Sequence, residues 1–209
     1  MHIDVYHDIV CPWCRIGKRN LELALERWDG SPVEVRWRPY LLNPDAPDEA
    51  VPLFDYFRTA RGVADPRPMF ERVERAGEGV GLRFDFGRAL SGRTDEAHRL
   101  LLLTPAERQT AVLDALHHAY FEQGADISDR ATLADIAATA GEDRDAVLAA
   151  LERGDGLAEL QGELRQAHAL VQGGVPFFVF DNRYALSGAQ PPDVILEAMR
   201  ATEAANATG

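Results

Sequence analysis

The chain has 209 residues, 46% of them hydrophobic, a formal net charge of −12 and two cysteines. That length and apolar content suffice for a sizeable core, as one large domain or a domain with an insertion. The acidity weighs against nucleic acid or an anionic membrane as partner, and no apolar run approaches the ~18 residues of a membrane span.

No basic stretch followed by an apolar core stands at the N-terminus, so the chain is expected to be cytoplasmic. His2–His7 alternates polar and apolar residues and predicts a strand. From Cys14 to about Trp28 the spacing is helical, with Ile16, Leu21, Leu23, Ala24, Leu25 and Trp28 as the apolar stripe. Pro12 suits the first helical position, which puts Cys11 at or just before the helix N-terminus. Val33–Arg38 predicts a second strand, and the Pro- and Asp-rich stretch Leu42–Pro52 a loop leaving the sheet.

Helical signals dominate from there to about Gln172. The expected helices are Leu53–Ala60, Pro68–Gly77, Thr94–Leu103, Pro105–Gln123, Arg130–Ala140, Arg144–Leu151 and Leu157–Val171, with starts marked by Thr94, Thr104-Pro105 and Ser128-Asp129. The strand pattern returns at Val175–Phe180 and Tyr184–Leu186, which Asp181-Asn182-Arg183 joins as a hairpin. Pro191-Pro192 opens a last helix, Asp193 to about Ala201, and the Ala-rich tail beyond Arg200 is expected to fray.

The two cysteines, in Cys11-Pro12-Trp13-Cys14, carry the chemistry. A disulfide across so short a loop removes little entropy from the unfolded chain, so stapling is a poor reason for the pair. Residues at i and i+3 of a helix stand roughly 5–6 Å apart, within the span a disulfide needs, so the pair can open and close without rebuilding the backbone. Unpaired amides and the positive end of the helix dipole favour a thiolate at Cys11, expected to be exposed, while Cys14 lies deeper. The roles follow: Cys11 attacks and Cys14 resolves.

A structural zinc site wants four ligands, and two cysteines with His7 fall short, so no metal is expected. The plain alternative is a pair of unreactive core cysteines. His98 reads either as a substrate contact in a groove or as a helix-packing residue. His7 and Asp8 read as helpers of proton transfer to Cys14 or as strand-end caps. His117-His118 is expected on an exposed helix face.

The order β-α-β, helical block, α-β-β-α with the dithiol at the first helix resembles an α/β thioredoxin fold with a large inserted all-helical domain. The strings Asp8–Gly17, Ala97–Leu100, Ala119–Phe121, Asp126-Ile127, Gly174–Asp181 and Ser187–Gln190 resemble the FrnE-like thiol–disulfide oxidoreductases of the DsbA family. Relatives include 2-hydroxychromene-2-carboxylate isomerase and the kappa-class glutathione transferases.

The resemblance implies a discontinuous thioredoxin-fold domain, residues 1–44 and 172–209, and a helical insertion domain, residues 45–171. It implies Cys11 and Cys14 as the redox pair, with Pro12 and Trp13 tuning it. Pro176 matches the proline held in cis opposite the dithiol, and Val175 offers a backbone edge to an extended substrate. The implied substrates are disulfide- or dithiol-containing proteins or small thiols, with no cofactor beyond the redox-active Cys11–Cys14 disulfide.

Two rivals follow. One is a thiol-dependent isomerase or transferase acting on an aromatic or polyketide-like molecule, in a pocket lined by Trp13, Phe54, Phe57 and Tyr120. Those relatives usually carry serine where Cys11 stands, which favours disulfide exchange here, and Arg93-Thr94 departs from their Asn-Thr. The other is a non-catalytic redox sensor or holdase.

Overall fold

The computed structural model describes residues 1–207. In chain order the elements are β1 (His2–His7), α1 (Pro12–Leu25), β2 (Glu34–Pro39), β3 (Val51–Pro52), α2 (Leu53–Thr59), α3 (Arg67–Glu78), β4 (Leu90–Ser91) and α4 (Asp95–Leu103). There follow α5 (Ala106–His118), a π-helical turn (Ala119–Gln123), α6 (Arg130–Thr139), α7 (Arg144–Arg153), α8 (Leu157–Leu170), β5 (Phe177–Phe180), β6 (Tyr184–Ser187) and α9 (Pro192–Ala207). The chain forms two compact units: Met1–Leu42 with the segment from Glu163 onward, and Asn43–Gly162.

The first unit is built on a four-stranded sheet of order β2-β1-β5-β6. β1 runs parallel to β2, with Val5 opposite Trp37, and antiparallel to β5, with Val5 opposite Phe178. A central strand has both faces covered, so Ile3, Val5, Phe178 and Phe180 are buried along with Ile195 and Met199 of α9. The polar residue of β1 between those positions is satisfied by pairing: Asp4 Oδ1 accepts from Arg38 Nε at 2.8 Å, and Arg38 Nη1 reaches Glu163 Oε1 at 3.0 Å. β5 turns into β6 through Asp181 (φ 45°) and Asn182 (φ 54°), residue types that tolerate the left-handed pair a tight hairpin needs. The boundary between units falls inside α8, because its second half packs on the sheet: Ala167 clusters with Tyr6, Phe177 and Val179.

The second unit is helical except for one two-stranded ladder, β3 against β4, with Val51 opposite Ser91. Its centre holds a chain of rings: Phe57 meets Phe70 (5.1 Å), Phe70 meets Phe86 (4.6 Å) and Phe84 meets Phe121 (5.0 Å). Arg99, 0% exposed, fixes α4 to the end of α7 by donating to the Leu151 carbonyl at 3.0 Å and the Asp155 carbonyl at 2.9 Å. Asp129 and Asp143 cap α6 and α7, accepting from the amides of Thr132 (2.7 Å) and Ala146 (3.0 Å).

Several expectations need correction. The helix expected over Pro105–Gln123 is α-helical only to His118 and ends in the π turn, and α1 stops at Leu25 rather than Trp28. Two-residue strands are too short to show alternation, so β3 and β4 escape pattern reading. The tail expected to fray is helix to Ala207: Glu203 Oε1 accepts from the Ser31 amide at 2.6 Å, and Asn206 Nδ2 donates to Asp181 Oδ2 at 2.7 Å. His117 is buried against Phe121 (5.8 Å), and only His118 faces outward.

Candidate active site

Cys11 is the N-cap of α1, with extended backbone (φ −81°, ψ 111°), and Pro12 takes the first helical position, where no amide is needed. The Cys11 carbonyl accepts from the amides of Cys14 (3.0 Å) and Arg15 (3.3 Å), closing the first turn, and the Cys11 amide donates to the Asp8 carbonyl at 3.1 Å. Local hydrogen bonding therefore fixes both sulfurs at one end of the helix. Both cysteines are free thiols, and the Cys14 thiol hydrogen-bonds Cys11. Cys11 Sγ also donates to the Val175 carbonyl at 3.8 Å. Pro12 and Trp13 are half-buried on the same turn.

The expectation of an exposed Cys11 above a deeper Cys14 is not met: each residue is 3% exposed. The Val175 carbonyl stands against the Cys11 sulfur, a contact across 164 residues of sequence that no local pattern encodes. Burial pushes the Cys14 thiol well above its ordinary value. The hydrogen bond to Cys11, the charge of Cys11 and the Asp8 carboxylate push the same way, and the Asp8 backbone amide opposes them.

Asp8 is itself buried, and its Oδ2 accepts from the Leu42 amide at 2.7 Å, so the chain leaving β2 holds it in place. Beside it, His7 packs edge-on against Trp37 at 5.5 Å. Pro176 is buried, the Val175-Pro176 peptide bond is cis, and the Pro176 carbonyl accepts from the Gly188 amide at 2.8 Å. Asn20 Nδ2 of α1 donates to the Gln190 carbonyl at 2.9 Å. One helix thus carries the dithiol and binds the turns on either side of β5–β6.

Of the residues singled out by sequence, Cys11, Cys14, Pro12, Trp13, Val175 and Pro176 come together in the sheet-bearing unit. His98 lies on α4 of the helical unit, 1% exposed, with its amide donating to the Thr94 carbonyl at 3.0 Å. Phe54, Phe57 and Tyr120 belong to that unit's ring cluster, where Tyr120 Oη donates to the Leu90 carbonyl at 2.7 Å. Among the described residues, no three His, Cys, Asp or Glu side chains converge as metal ligands would, and no helix is long and apolar enough to cross a membrane.

Sequence reading passes over Gly17. It lies inside α1, where glycine costs about 1 kcal/mol relative to alanine, and that cost is the signal to look for a packing reason. A Cβ there would stand 2.8 Å from Pro176 Cγ and 3.2 Å from Phe178 Cζ.

The DSBA-like thioredoxin domain family model matches residues 2–200. A probable DsbA oxidoreductase of Streptomyces coelicolor has a solved structure that superposes with a TM-score of 0.89 at 31% identity, covering 98% of this chain and 90% of that one. The cytosolic disulfide reductase DsbM of Pseudomonas aeruginosa, solved with GSH, shares the fold at 20% identity (TM-score 0.63, 95% of this chain and 98% of that one). The uncharacterized protein YwbO of Bacillus subtilis is 36% identical over 73 residues, a match spanning 35% of each chain.

Proposed function

Because the chain belongs to the DSBA-like thioredoxin domain family, we propose that it is a thiol–disulfide oxidoreductase in which Cys11 is the nucleophile and Cys14 the resolving thiol. The observation that carries this reading is the placement of Cys11 as N-cap of α1, with its sulfur hydrogen-bonded to both Cys14 and the Val175 carbonyl.

The Cys11 thiolate attacks one sulfur of a substrate disulfide. The substrate S–S bond breaks, a Cys11–substrate disulfide forms, and the departing sulfur takes up a proton. Cys14 then attacks the Cys11 sulfur, which closes the Cys11–Cys14 disulfide and releases the substrate as a dithiol. Run backwards, the same steps oxidise dithiols. The only redox group in this scheme is the Cys11–Cys14 pair.

Cys14 must lose its proton to attack, and its raised value means that it needs a base. The Asp8 carboxylate, held by the Leu42 amide, fills that role. An extended substrate segment pairs with the Val175 backbone, displacing its carbonyl from Cys11 as the substrate sulfur arrives. Partners are disulfide- or dithiol-bearing proteins or small thiols, with Pro12 and Trp13 tuning the pair. The compartment assigned is the cytoplasm, as for the P. aeruginosa relative.

Reduction of insulin by the protein with dithiothreitol as donor tests the reading. Wild type is expected to accelerate the loss of the insulin disulfides and Cys11→Ser to return the rate to that of donor alone. Turnover surviving in Cys11→Ser contradicts the assignment.

A further inference from the structure

We infer that Gly17 is a positioning residue for the exchange reaction, a seat without a side chain on which the Pro176 ring rests so that the Val175 carbonyl meets the Cys11 sulfur. The inference rests on the proposed reaction for its catalytic consequence, but the seat itself is a matter of packing.

Gly17 follows Cys14 by three residues, so the two share a face of α1. That face continues to Asn20, whose amide group holds the Gln190 carbonyl at 2.9 Å. Pro176 is enclosed from two directions: its carbonyl accepts from the Gly188 amide at 2.8 Å, and its ring lies against the Gly17 backbone. A Cβ at position 17 would stand 2.8 Å from Pro176 Cγ, against the 3.4 Å at which ordinary contact begins, so the ring would have to retreat by about 0.6 Å. The backbone of Gly17 is ordinary helix, and space rather than conformation demands the glycine. Val175 is covalently next to the ring, so a lifted Pro176 shifts the Val175 backbone edge with which an extended substrate pairs, and with it the carbonyl now 3.8 Å from Cys11 Sγ. A misplacement of about 1 Å near reacting atoms costs on the order of a hundredfold in rate, so a shift of this size is expected to show.

The test is a double-mutant cycle over Gly17→Ala, Pro176→Ala and the combination. Two rates are read: insulin kcat/KM in the two-cysteine protein, and alkylation of Cys11 by iodoacetamide, located by mass spectrometry, in a Cys14→Ser background. With Pro176 present, Gly17→Ala is expected to lower kcat/KM about tenfold or more and to speed alkylation as the carbonyl leaves the sulfur. With Pro176→Ala in place, the same substitution should change either rate several-fold less, since the ring it strikes is gone and only the milder approach to Phe178 Cζ at 3.2 Å remains. Equal changes in both backgrounds, or none in either, overturn the inference. If Gly17→Ala alone does not fold, folding of the combined variant supports the seat and misfolding of both overturns it. If wild type reduces no insulin disulfide, the proposed reaction has failed, and the alkylation cycle still decides the seat.

Discussion

The raised Cys14 thiol makes the stability of the reduced protein depend on alkaline pH. A group whose value in the folded state lies above its unfolded value stabilises the fold fully below the unfolded value, and that contribution is lost as pH rises through the folded one. For Cys14 the loss begins near the ordinary thiol value of about 8.5, where the unfolded chain starts to release a proton that burial forces the folded chain to keep. Above that value the loss grows by at most about 1.4 kcal/mol per pH unit, the limit for one proton, which moves a urea midpoint down by up to about 0.7 M per unit for a slope near 2 kcal/mol per molar. Trp13, Trp28 and Trp37 are the only tryptophans, and all precede Asn43, so tryptophan fluorescence reads unfolding of the sheet-bearing unit. Urea titrations at pH 7 and 10 under reducing conditions, wild type against Cys14→Ala, should show the extra loss in wild type only. Tyr6, which burial and Asp4 raise from an ordinary value of 10.0, titrates above this window in both proteins. Parallel profiles for the two proteins would refute the assignment of a buried, protonated Cys14.

In the helical unit, Arg99→Met keeps most of the packing but takes the guanidinium from the Asp155 carbonyl, leaves the Leu151 carbonyl with the Gly154 amide alone at 3.2 Å, and leaves Glu96 to the more exposed Arg130. The cost should be about 3 kcal/mol, a drop of about 6–12 °C in the thermal midpoint followed by far-UV circular dichroism. A shift under about 2 °C would show that the network contributes nothing net. Asp129→Ala removes the α6 cap and should cost about 1 kcal/mol at neutral pH, or about 2–4 °C. Hydrogen bonds from the Thr132 amide and hydroxyl hold the Asp129 carboxyl below its ordinary value, so its contribution is present above that value and lost as pH falls through the lower, folded one. The gap between wild type and variant should therefore close in strong acid, and a gap that persists there would count against the cap.

What could be read from sequence was whatever short-range periodicity or a paired motif encodes. The strand at His2–His7, the helix opened by Pro12 and the two cysteines one turn apart needed only local rules. The return of strand pattern on either side of Asp181-Asn182-Arg183 gave the hairpin for the same reason. Contacts made by distant residues were not legible. The Val175 carbonyl that meets the Cys11 sulfur and the Pro176 ring that requires Gly17 come from the far end of the chain. The Ala-rich tail looked frayed because its anchors, Ser31 and Asp181, lie outside it. The π turn ends at Gly124 (φ 71°), where a Cβ would come within 2.5 Å of the Arg88 carbonyl oxygen. That glycine was visible as a stop, but the extra residue wound into the turn before it was not.

Trapping the covalent intermediate puts the central assignment to its most direct test. Reduced Cys14→Ser protein incubated with oxidised glutathione, quenched with acid and digested for mass spectrometry is expected to carry one glutathione per chain, attached at Cys11 and released by dithiothreitol. A Cys14→Ser chain that stays folded yet takes up no glutathione at Cys11 would contradict a nucleophile at that position.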